Sequence, residues 1–285
     1  MTTYAVTGAS GPFGRTVVEE LLSRGVPASD VVAIVRTPSK VADLAERGVQ
    51  VREGDYSRPE TLPSALADVQ RVLLVSGTEF GRRIAQHTAV IDAAKAAGVG
   101  RIAYTSVLKA DNTSNPVAGE HVATEQVLHA SGVPFTVLRN GWYTENYTGQ
   151  LGQYLERGEI LGATGGGKVS AATRADYAAA AAAALLTDDD GDTVHELGGP
   201  AFTFDELAAT ISDVTGTKVA HRDLSAEEYA AVLEQVGLDA GTAGFLAGVD
   251  ASIAAGDLET DSDDLARLLG RPATPLADAV RAAHS

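Results

Sequence analysis

The sequence predicts an α/β protein built on a doubly wound parallel sheet, with a smaller, mainly helical C-terminal lobe. Short runs of β-branched residues recur through the first half of the chain, and stretches with helical spacing, such as Val17, Leu21 and Leu22, lie between them. Strands that alternate with helical crossovers form parallel sheets covered on both faces. After about residue 150 helical patterns dominate. We therefore expect one domain over residues 1–150, with some later segments returning to it, and a smaller lobe over residues 151–285.

Six strands are expected in the first half of the chain, at Tyr4–Thr7, Val31–Val35, Val49–Arg52, Val72–Val75, Ile102–Ser106 and Phe135–Leu138. Gly98 and Gly132 precede the last two strands, where the preceding helices should end. In the second half, helices are expected at Arg174–Leu186, Phe204–Thr215, Ala226–Val236 and from about Asp239 to Leu269, with short strands at Thr193–Leu197 and Lys218–Arg222. Thr203 and Ser225 each stand three residues before a glutamate, the pattern of a helix capping box.

The charge of the chain is strongly negative and unevenly distributed. Among 285 residues, 22 Lys and Arg oppose 38 Asp and Glu, a net charge of −16. Residues 1–150 are near neutral, with 14 basic against 15 acidic side chains, whereas residues 151–285 hold 8 against 23. A negative surface repels phosphodiester backbones and anionic lipid, so we expect neither a nucleic-acid nor a membrane partner.

Cysteine is absent, which excludes disulfides, thiolate nucleophiles and Cys-bound metal. No signal peptide is expected, and the longest apolar run, Tyr177–Leu186, is far shorter than the roughly 20 residues that span a bilayer. These features predict a cytoplasmic protein. The acidic stretches 188–192 and 259–264 lack the spacing of a calcium loop, and the histidines lack metal-ligand spacing, so no metal site is expected.

A glycine-rich turn follows the first predicted strand and leads into a helix expected to begin near Arg15. Its residues are Gly8, Ala9, Ser10, Gly11, Pro12, Phe13 and Gly14. Such a strand-to-helix turn lets the backbone approach a pyrophosphate, while free N–H groups and the helix dipole face its charge. The spacing excludes a P-loop, and Arg15 stands where that motif needs lysine. The turn therefore predicts a Rossmann-type dinucleotide site.

Arg36, at the end of the second strand, predicts which dinucleotide is bound. An acidic residue there would bind the ribose hydroxyls of NAD, whereas arginine favours the 2′-phosphate of NADP. The segment Ala33–Lys40 contains no carboxylate within reach of this position, and Lys40 adds positive charge. NADP(H) is therefore the expected cofactor. A solvated loop arginine without a ligand is the alternative.

Two further turns fit the same nucleotide. Asp55 and Tyr56 follow the third strand, where an aspartate can reach the adenine amine. The small residues Ser76, Gly77 and Thr78 follow the fourth strand, where they let the chain pass beneath the adenosine ribose. Either turn alone would be an ordinary turn, so we assign them to the nucleotide only because the glycine loop is also present.

Six segments of the chain resemble the NmrA-like branch of the atypical short-chain dehydrogenases, and within it most closely the bacterial NADPH-dependent quinone oxidoreductases. They are Gly8–Gly14, Val31–Arg36, Ala93–Val99, Ala103–Ser106, Leu138–Tyr147 and Ala172–Tyr177. The stretches Asn-Gly-Trp-Tyr and Arg-Ala-Asp-Tyr are the specific ones. The resemblance extends over essentially the whole chain and implies quinone reduction by direct hydride transfer from NADPH, without flavin or metal.

The catalytic pair of typical short-chain dehydrogenases is missing. Those enzymes place Ser after the fifth strand and Tyr-x-x-x-Lys on the next helix, where the lysine lowers the pKa of the tyrosine. Here Ser106 is present, but His121 stands in place of the tyrosine and Glu125 in place of the lysine. A carboxylate raises the pKa of a neighbouring acid, so interconversion of alcohols and ketones through that pair is not expected. Reduction of a quinone does not need the tyrosine and lysine, because the reduced anion is aromatic and can take a proton from water.

Asn140, Gly141, Trp142 and Tyr143 follow the sixth strand at the edge where doubly wound sheets bind ligands. We expect Asn140 to hydrogen-bond, and Trp142 and Tyr143 to offer flat faces to the nicotinamide or the quinone. His121, Asn140 and Tyr143 are the candidate catalytic residues. Packing roles for His121 and Trp142 are the alternatives.

Two other functions remain open at this stage. A non-catalytic NADP(H)-sensing regulator would also lack the catalytic pair. A reductase or isomerase of phenylpropanoid-type substrates would need a lysine on the catalytic helix, and none is found there. Relatives in the short-chain dehydrogenase superfamily often form homodimers, so a homodimer is possible here.

Overall fold

The structure is a computed structural model that describes residues 2–188 and 191–284. Asp189 and Asp190, in the middle of the first acidic stretch, lie outside the described residues. Within the described residues the strands are β1 (Tyr4–Thr7), β2 (Val31–Val35), β3 (Gln50–Glu53), β4 (Arg71–Leu74), β5 (Arg101–Val107), β6 (Phe135–Asn140), β7 (Glu159–Gly162), β8 (Thr193–Leu197) and β9 (Ala220–Asp223).

The helices of the described chain are α1 (Pro12–Ser23), α2 (Ala42–Glu46), α3 (Leu62–Ala65), α4 (Arg83–Ala96), α5 (Ala118–Ser131), α6 (Glu145–Thr148), α7 (Leu151–Arg157), α8 (Arg174–Leu186), α9 (Phe204–Thr215), α10 (Ala226–Gln235), α11 (Ala240–Ala254), α12 (Asp264–Leu269) and α13 (Leu276–His284). Short 3₁₀ turns precede β2 at Ala28–Asp30, α2 at Pro38–Val41 and α3 at Pro59–Thr61.

Seven strands form the main sheet in the order β3-β2-β1-β4-β5-β6-β8. The pairs β3–β2, β2–β1, β1–β4 and β4–β5 are parallel, and Tyr4 at the start of β1 lies opposite Val31 on one side and Arg71 on the other. The predicted α/β sheet is confirmed. Because β2, β1 and β4 are adjacent and parallel, the loops that follow them emerge at one edge of the sheet.

In the second half of the chain one predicted helix is divided, the predicted strand at Thr193–Leu197 is present, and one further strand was not predicted. The predicted run from Asp239 to Leu269 is wrong as one helix. It divides into α11 and α12, because Gly256 adopts a left-handed φ of +82° just after α11. The strand at Thr193–Leu197 joins the main sheet beside β6, and β7, which was not predicted, pairs in parallel with β9. Both of these pairings join segments distant in sequence.

The capping boxes predicted at two helix starts are confirmed. Thr203 and Ser225 both form complete capping boxes, with Glu206 and Glu228 respectively. Helix α1, however, begins at Pro12 and not near Arg15. Proline suits the first helical position because its φ is already helical and its missing N–H would be unpaired there.

The described residues form two compact units. The first comprises residues 2–107, 119–139, 177–188 and 191–195, and the second comprises residues 108–118, 140–176 and 196–284. The core of the first unit packs around the sheet and contains the fully buried Ile91, Ile102 and Tyr104. The second unit has its own core around Phe202, Phe204 and Leu258. Among the residues described, no helix has both the length and the apolar character needed to cross a membrane.

Candidate functional site

The glycine loop of the first unit requires glycine at two positions, one for its backbone conformation and one for its close packing. Gly8 adopts a left-handed φ of +61°, and its carbonyl accepts a hydrogen bond of 2.9 Å from the Gly11 N–H. A Cβ on Gly14 would lie 2.6 Å from the Gly8 carbonyl oxygen. The loop exposes Gly8, Ser10 and Pro12 and buries Ala9 and Phe13. Its exposed side therefore presents backbone and the first turn of α1, where N–H groups have no helical acceptor.

Arg36 lies at the end of β2 with its side chain 71% exposed. The segment Ala33–Lys40 supplies no carboxylate to it, as expected, but a loop from elsewhere in the sheet does. Glu79, in the loop after β4, places its Oε1 atom 3.9 Å from the Arg36 guanidinium. The sequence of the β2 end could not show this, because the carboxylate comes from a different strand of the parallel sheet.

Asp55 and Tyr56 are engaged with their own surroundings. The Asp55 carboxylate accepts hydrogen bonds from the Ser57 N–H at 2.9 Å and from Arg58 at 3.4 Å. The Tyr56 hydroxyl contacts the Thr7 hydroxyl and donates to the Val75 carbonyl at 2.9 Å, and burial raises its pKa. Since this hydroxyl belongs to the interior of the sheet, Tyr56 has only its ring and backbone left for a nucleotide.

The Ser76–Thr78 turn is held by side chains of β5 and α4. The Ser76 N–H donates to the Thr105 hydroxyl at 2.8 Å, and the Gly77 N–H donates to His87 Nε2 at 2.9 Å. Because His87 Nε2 accepts, its proton is on Nδ1, which donates to the Thr124 hydroxyl at 2.9 Å. Burial, together with the positive charge of Arg83, lowers the pKa of His87 to about 4.

His121 completes a buried hydrogen-bonded network with Arg83 and Tyr104. Arg83 donates through Nε to the Gly77 carbonyl at 2.5 Å, and its Nη1 lies 3.3 Å from His121 Nε2. A guanidinium can only donate, so His121 carries its proton on Nδ1 and directs it at the Tyr104 hydroxyl, 2.7 Å away. Burial, Arg83 and His87 lower the pKa of His121 to about 3.

The geometry of His121 agrees with the packing alternative. Its ring is neutral at pH 7, both of its nitrogens have protein partners, and 6% of its surface is exposed. The structure therefore offers no support for His121 as the proton donor, although its contacts do hold the turn at Gly77 through Arg83.

Glu125, at the position of the missing lysine, is part of an ion pair. Its carboxylate accepts from Arg139 at 2.7 and 3.1 Å and from the Ser106 hydroxyl at 2.5 Å. Glu125 and Arg139 are largely buried, with 15% and 9% of their side chains exposed. The serine and the glutamate are therefore held by each other and by Arg139, and they form no catalytic pair of the usual kind.

Asn140, Gly141, Trp142 and Tyr143 belong to the second unit. Asn140 ends β6 and is 5% exposed, and its Oδ1 atom is buried without a hydrogen-bond partner among the described residues. Trp142 is partly buried and packs against the core of this unit. The Arg174 guanidinium lies 5.0 Å from the centre of the Tyr143 ring, and burial raises the pKa of Tyr143 to about 12.

Asp176 of the Arg-Ala-Asp-Tyr stretch is fully buried in the same unit. Its carboxylate accepts from Arg271 at 2.7 Å and from the Thr274 N–H at 2.8 Å, which attaches the chain after α12 to the start of α8. Asp176 is thus a structural residue within the second unit.

Sequence reasoning missed Glu79, Arg83, His87 and Thr124. A signal existed for Arg83 and His87, which lie four residues apart on α4 and so share one helical face. Polar residues on a helix face that is otherwise buried need partners, which marks them as members of a network. No such local signal existed for Glu79.

Comparison with known proteins identifies the family. Residues 8–188 match the family model described as NAD(P)H-binding. Quinone oxidoreductase 2 of Escherichia coli is 47% identical over 97% of this chain and 96% of its own length. An NmrA-like family domain-containing oxidoreductase of Aspergillus flavus is 30% identical over 98% of this chain and 94% of its own. The chain belongs to the NmrA-like family of NAD(P)H-binding proteins.

Two solved structures share the fold of this chain over almost its whole length. The Escherichia coli NADPH-dependent quinone oxidoreductase, crystallised with NADPH, superposes with a TM-score of 0.96 at 46% identity and covers 99% of this chain and 100% of its own. The Citrobacter triphenylmethane reductase complexed with NADP(H) gives a TM-score of 0.91 at 38% identity and 99% coverage of each chain.

The residues of this NmrA-like chain fit a dinucleotide. Gly14, where a Cβ would lie 2.6 Å from the Gly8 carbonyl oxygen, allows the close contact between α1 and the glycine loop that such dinucleotide sites need. The Asn140 Oδ1 atom is a buried acceptor without a donor among the residues described, and such an atom costs free energy unless a ligand donor reaches it. Over the same residues, no cluster of three or more His, Asp and Glu side chains could hold a metal ion.

Proposed function

We propose that this protein reduces quinones with NADPH as the electron donor. The observation that carries the proposal is the 47% identity over 97% of the chain to Quinone oxidoreductase 2. The TM-score of 0.96 to the structure of that class with NADPH supports it.

The buried side chains of the first unit favour an acceptor that needs no protein acid. His121 is neutral at pH 7, because its pKa is lowered to about 3, and both of its nitrogens have protein partners, so it does not deliver a proton. The Glu125 carboxylate is held by Arg139 and by the Ser106 hydroxyl. Bound NADPH supplies a hydride. A quinone that accepts it becomes an aromatic hydroquinone anion, which water can protonate. Positioning of the two reactants is then the main contribution of the protein.

We assign the positioning roles as follows. The glycine loop and Arg36 hold the pyrophosphate and the 2′-phosphate, the Ser76–Thr78 turn supports the ribose, and Asn140 offers its unpaired Oδ1 to an N–H or O–H of the cofactor or quinone. Trp142 and Tyr143 offer ring faces to the acceptor. As the sequence predicts, we also expect the protein to be located in the cytoplasm and to form a homodimer.

Consumption of NADPH tests this function. The purified chain, treated with EDTA and free of flavin, is mixed with NADPH and either 1,4-benzoquinone or menadione, and the loss of NADPH absorbance is followed. We expect turnover that saturates with quinone. Asn140→Ala should lower kcat, whereas Asn146→Ala, on the neighbouring helix α6, should leave it unchanged. No turnover above the uncatalysed rate with several quinones would exclude the proposal.

A further inference from the structure

A carboxylate stands beside the arginine that is expected to read the 2′-phosphate. Within the described part of the chain, Glu79 is the acidic residue in ion-pair range of Arg36, at 3.9 Å. The two residues come from the loops after β4 and β2, on either side of β1 and its glycine loop. A nucleotide whose pyrophosphate lies on the glycine loop therefore brings its adenosine ribose close to both charges.

The Glu79 carboxylate is held in this place by its neighbours. Its Oε2 atom accepts from Arg82 at 3.0 Å and from Gln86 Nε2 at 3.1 Å, which leaves Oε1 directed toward Arg36. The Gln86 amide also donates to the Ser57 hydroxyl at 2.9 Å, so it links the loops after β3 and β4. Rotation of Glu79 away from Arg36 would break two hydrogen bonds.

The loop that carries Glu79 is fixed at both ends. On one side Gly77 is bonded through its N–H to His87 and through its carbonyl to Arg83. On the other side the Gly81 N–H donates to Glu120 Oε1 at 2.9 Å. The carboxylate is therefore placed by the fold of the first unit and is not a freely moving surface group.

We propose that Glu79 sets how strongly this protein prefers 2′-phosphorylated adenine nucleotides, by competing with the 2′-phosphate for Arg36. This inference rests on the proposed use of NADPH. A phosphate and a carboxylate both accept from the guanidinium and repel each other at short range. A free ribose 2′-hydroxyl, in contrast, can donate to a carboxylate. Glu79 thus weakens binding of the 2′-phosphorylated nucleotide. It thereby reduces the ratio of affinities by which Arg36 favours that nucleotide over one with a free 2′-hydroxyl.

Isothermal titration of the full chain with 2′,5′-ADP and with 5′-AMP tests the inference. These two probes differ only in the 2′-phosphate. Glu79→Gln removes the charge but keeps an oxygen that can accept from Arg82 or Gln86. We expect it to tighten 2′,5′-ADP by about three- to tenfold, the size of one screened charge contact, and to leave 5′-AMP unchanged or weaker. Glu79→Ala should change the ratio of the two affinities in the same direction.

Glu19→Gln is the matched control. Its carboxylate is 37% exposed and pairs with Arg15 and Arg47, much as Glu79, at 39%, pairs with Arg36 and Arg82. If Glu19→Gln changes the affinity at all, it should change the affinities for 2′,5′-ADP and 5′-AMP by the same factor. In an Arg36→Ala background, Glu79→Gln should lose most of its effect, because the shared partner is gone.

Two results would overturn the inference. One is an affinity ratio that stays unchanged, or falls, in both Glu79 variants. The other is a wild-type chain that binds 2′,5′-ADP no better than 5′-AMP. Neither measurement involves hydride transfer or a quinone, so failure of the proposed reaction and failure of this inference are distinguishable.

Discussion

Two histidines under the Ser76–Thr78 turn are kept neutral by their surroundings. His87 is fully buried and His121 nearly so, and both lie close to the Arg83 guanidinium. A second positive charge there would be poorly solvated and repelled by Arg83. Protonation of His87 would also destroy its role as acceptor for the Gly77 N–H. The network is therefore complete only above the pH at which these rings titrate.

We expect the free energy of unfolding to decrease as the pH falls from about 6.5 to 4. His87 has an ordinary pKa of 6.5 in the unfolded chain and about 4 in the folded chain. In this range the unfolded state binds more protons, so stability is complete above pH 6.5 and is lost toward the folded pKa. The loss from His87 alone is about 3 kcal/mol. Urea unfolding at several pH values measures it.

His87→Gln provides the comparison for this experiment. Glutamine can accept from the Gly77 N–H but does not titrate, so the variant should lose less stability over the same range. The buried Asp250 has the opposite sign, because its pKa is raised from 3.8 to about 6 and its stability contribution is lost as the pH rises through that interval. Subtracting the two profiles removes this contribution. If the stability of wild type and of His87→Gln fell equally with pH, His87 would not be the group responsible for the loss.

Arg36→Ala should weaken NADPH binding far more than NADH binding. Loss of a charged hydrogen bond to phosphate costs about 1.5–3 kcal/mol, which is roughly a 10- to 100-fold increase in the KM for NADPH. Steady-state kinetics with each nucleotide and a fixed quinone measure the two effects. Equal losses for NADPH and NADH would mean that Arg36 does not read the 2′-phosphate.

The first strand, the glycine loop and α1 act as one element. Gly14 lies in the first turn of α1, where an added Cβ would be 2.6 Å from the Gly8 carbonyl oxygen. Gly14→Ala must therefore move the helix away from the loop. We expect a loss of stability of about 2–4 kcal/mol, in the range of strained backbone and overpacked cores, together with loss of nucleotide binding. Thermal unfolding and titration with 2′,5′-ADP measure the two effects.

Gly244→Ala in α11 is the control for this substitution. It makes the same chemical change inside a helix, but an added Cβ there meets no atom within 4 Å. Alanine should stabilise that helix by about 0.5–1 kcal/mol, because it has less backbone entropy to lose. If the two variants behaved alike, the tight contact between Gly14 and Gly8 would not be the cause.

At the scale of the whole molecule the net charge of −16 is unfavourable to the compact state. Residues 151–285 hold 23 acidic against 8 basic side chains, so repulsion is concentrated in that half. Raising NaCl from about 0.05 to 0.5 M shortens the Debye length to a few ångström. We expect the melting temperature to rise by about 2–4 °C, which corresponds to about 1 kcal/mol. A fall would show that favourable ion pairs outweigh the repulsion.

The uneven charge also bears on the ligands. The near-neutral first half contains the glycine loop and Arg36, which face a polyanionic dinucleotide without a large opposing field. The acidic second half would repel an anionic substrate but not a neutral quinone. Charge distribution and the proposed reaction therefore agree.

Local features of the sequence determined most of the fold and one part of the site. The alternation of strands and helices, the capping boxes of α9 and α10 and the glycine turn each depend on residues within a few positions of one another, so a linear pattern records them. The same holds for Arg36, whose place follows directly from the end of β2.

Tertiary structure alone decided the charges and protons of the site. The order β2-β1-β4 brings Glu79 to Arg36, the packing of α4 and α5 buries His87 and His121 around Arg83, and β6 brings Arg139 to Glu125. These pairs come from separate elements, and their energies depend on burial and distance, which no linear pattern records. The sequence thus specified a dinucleotide-binding sheet, while packing determined which of its polar groups remain available to a ligand.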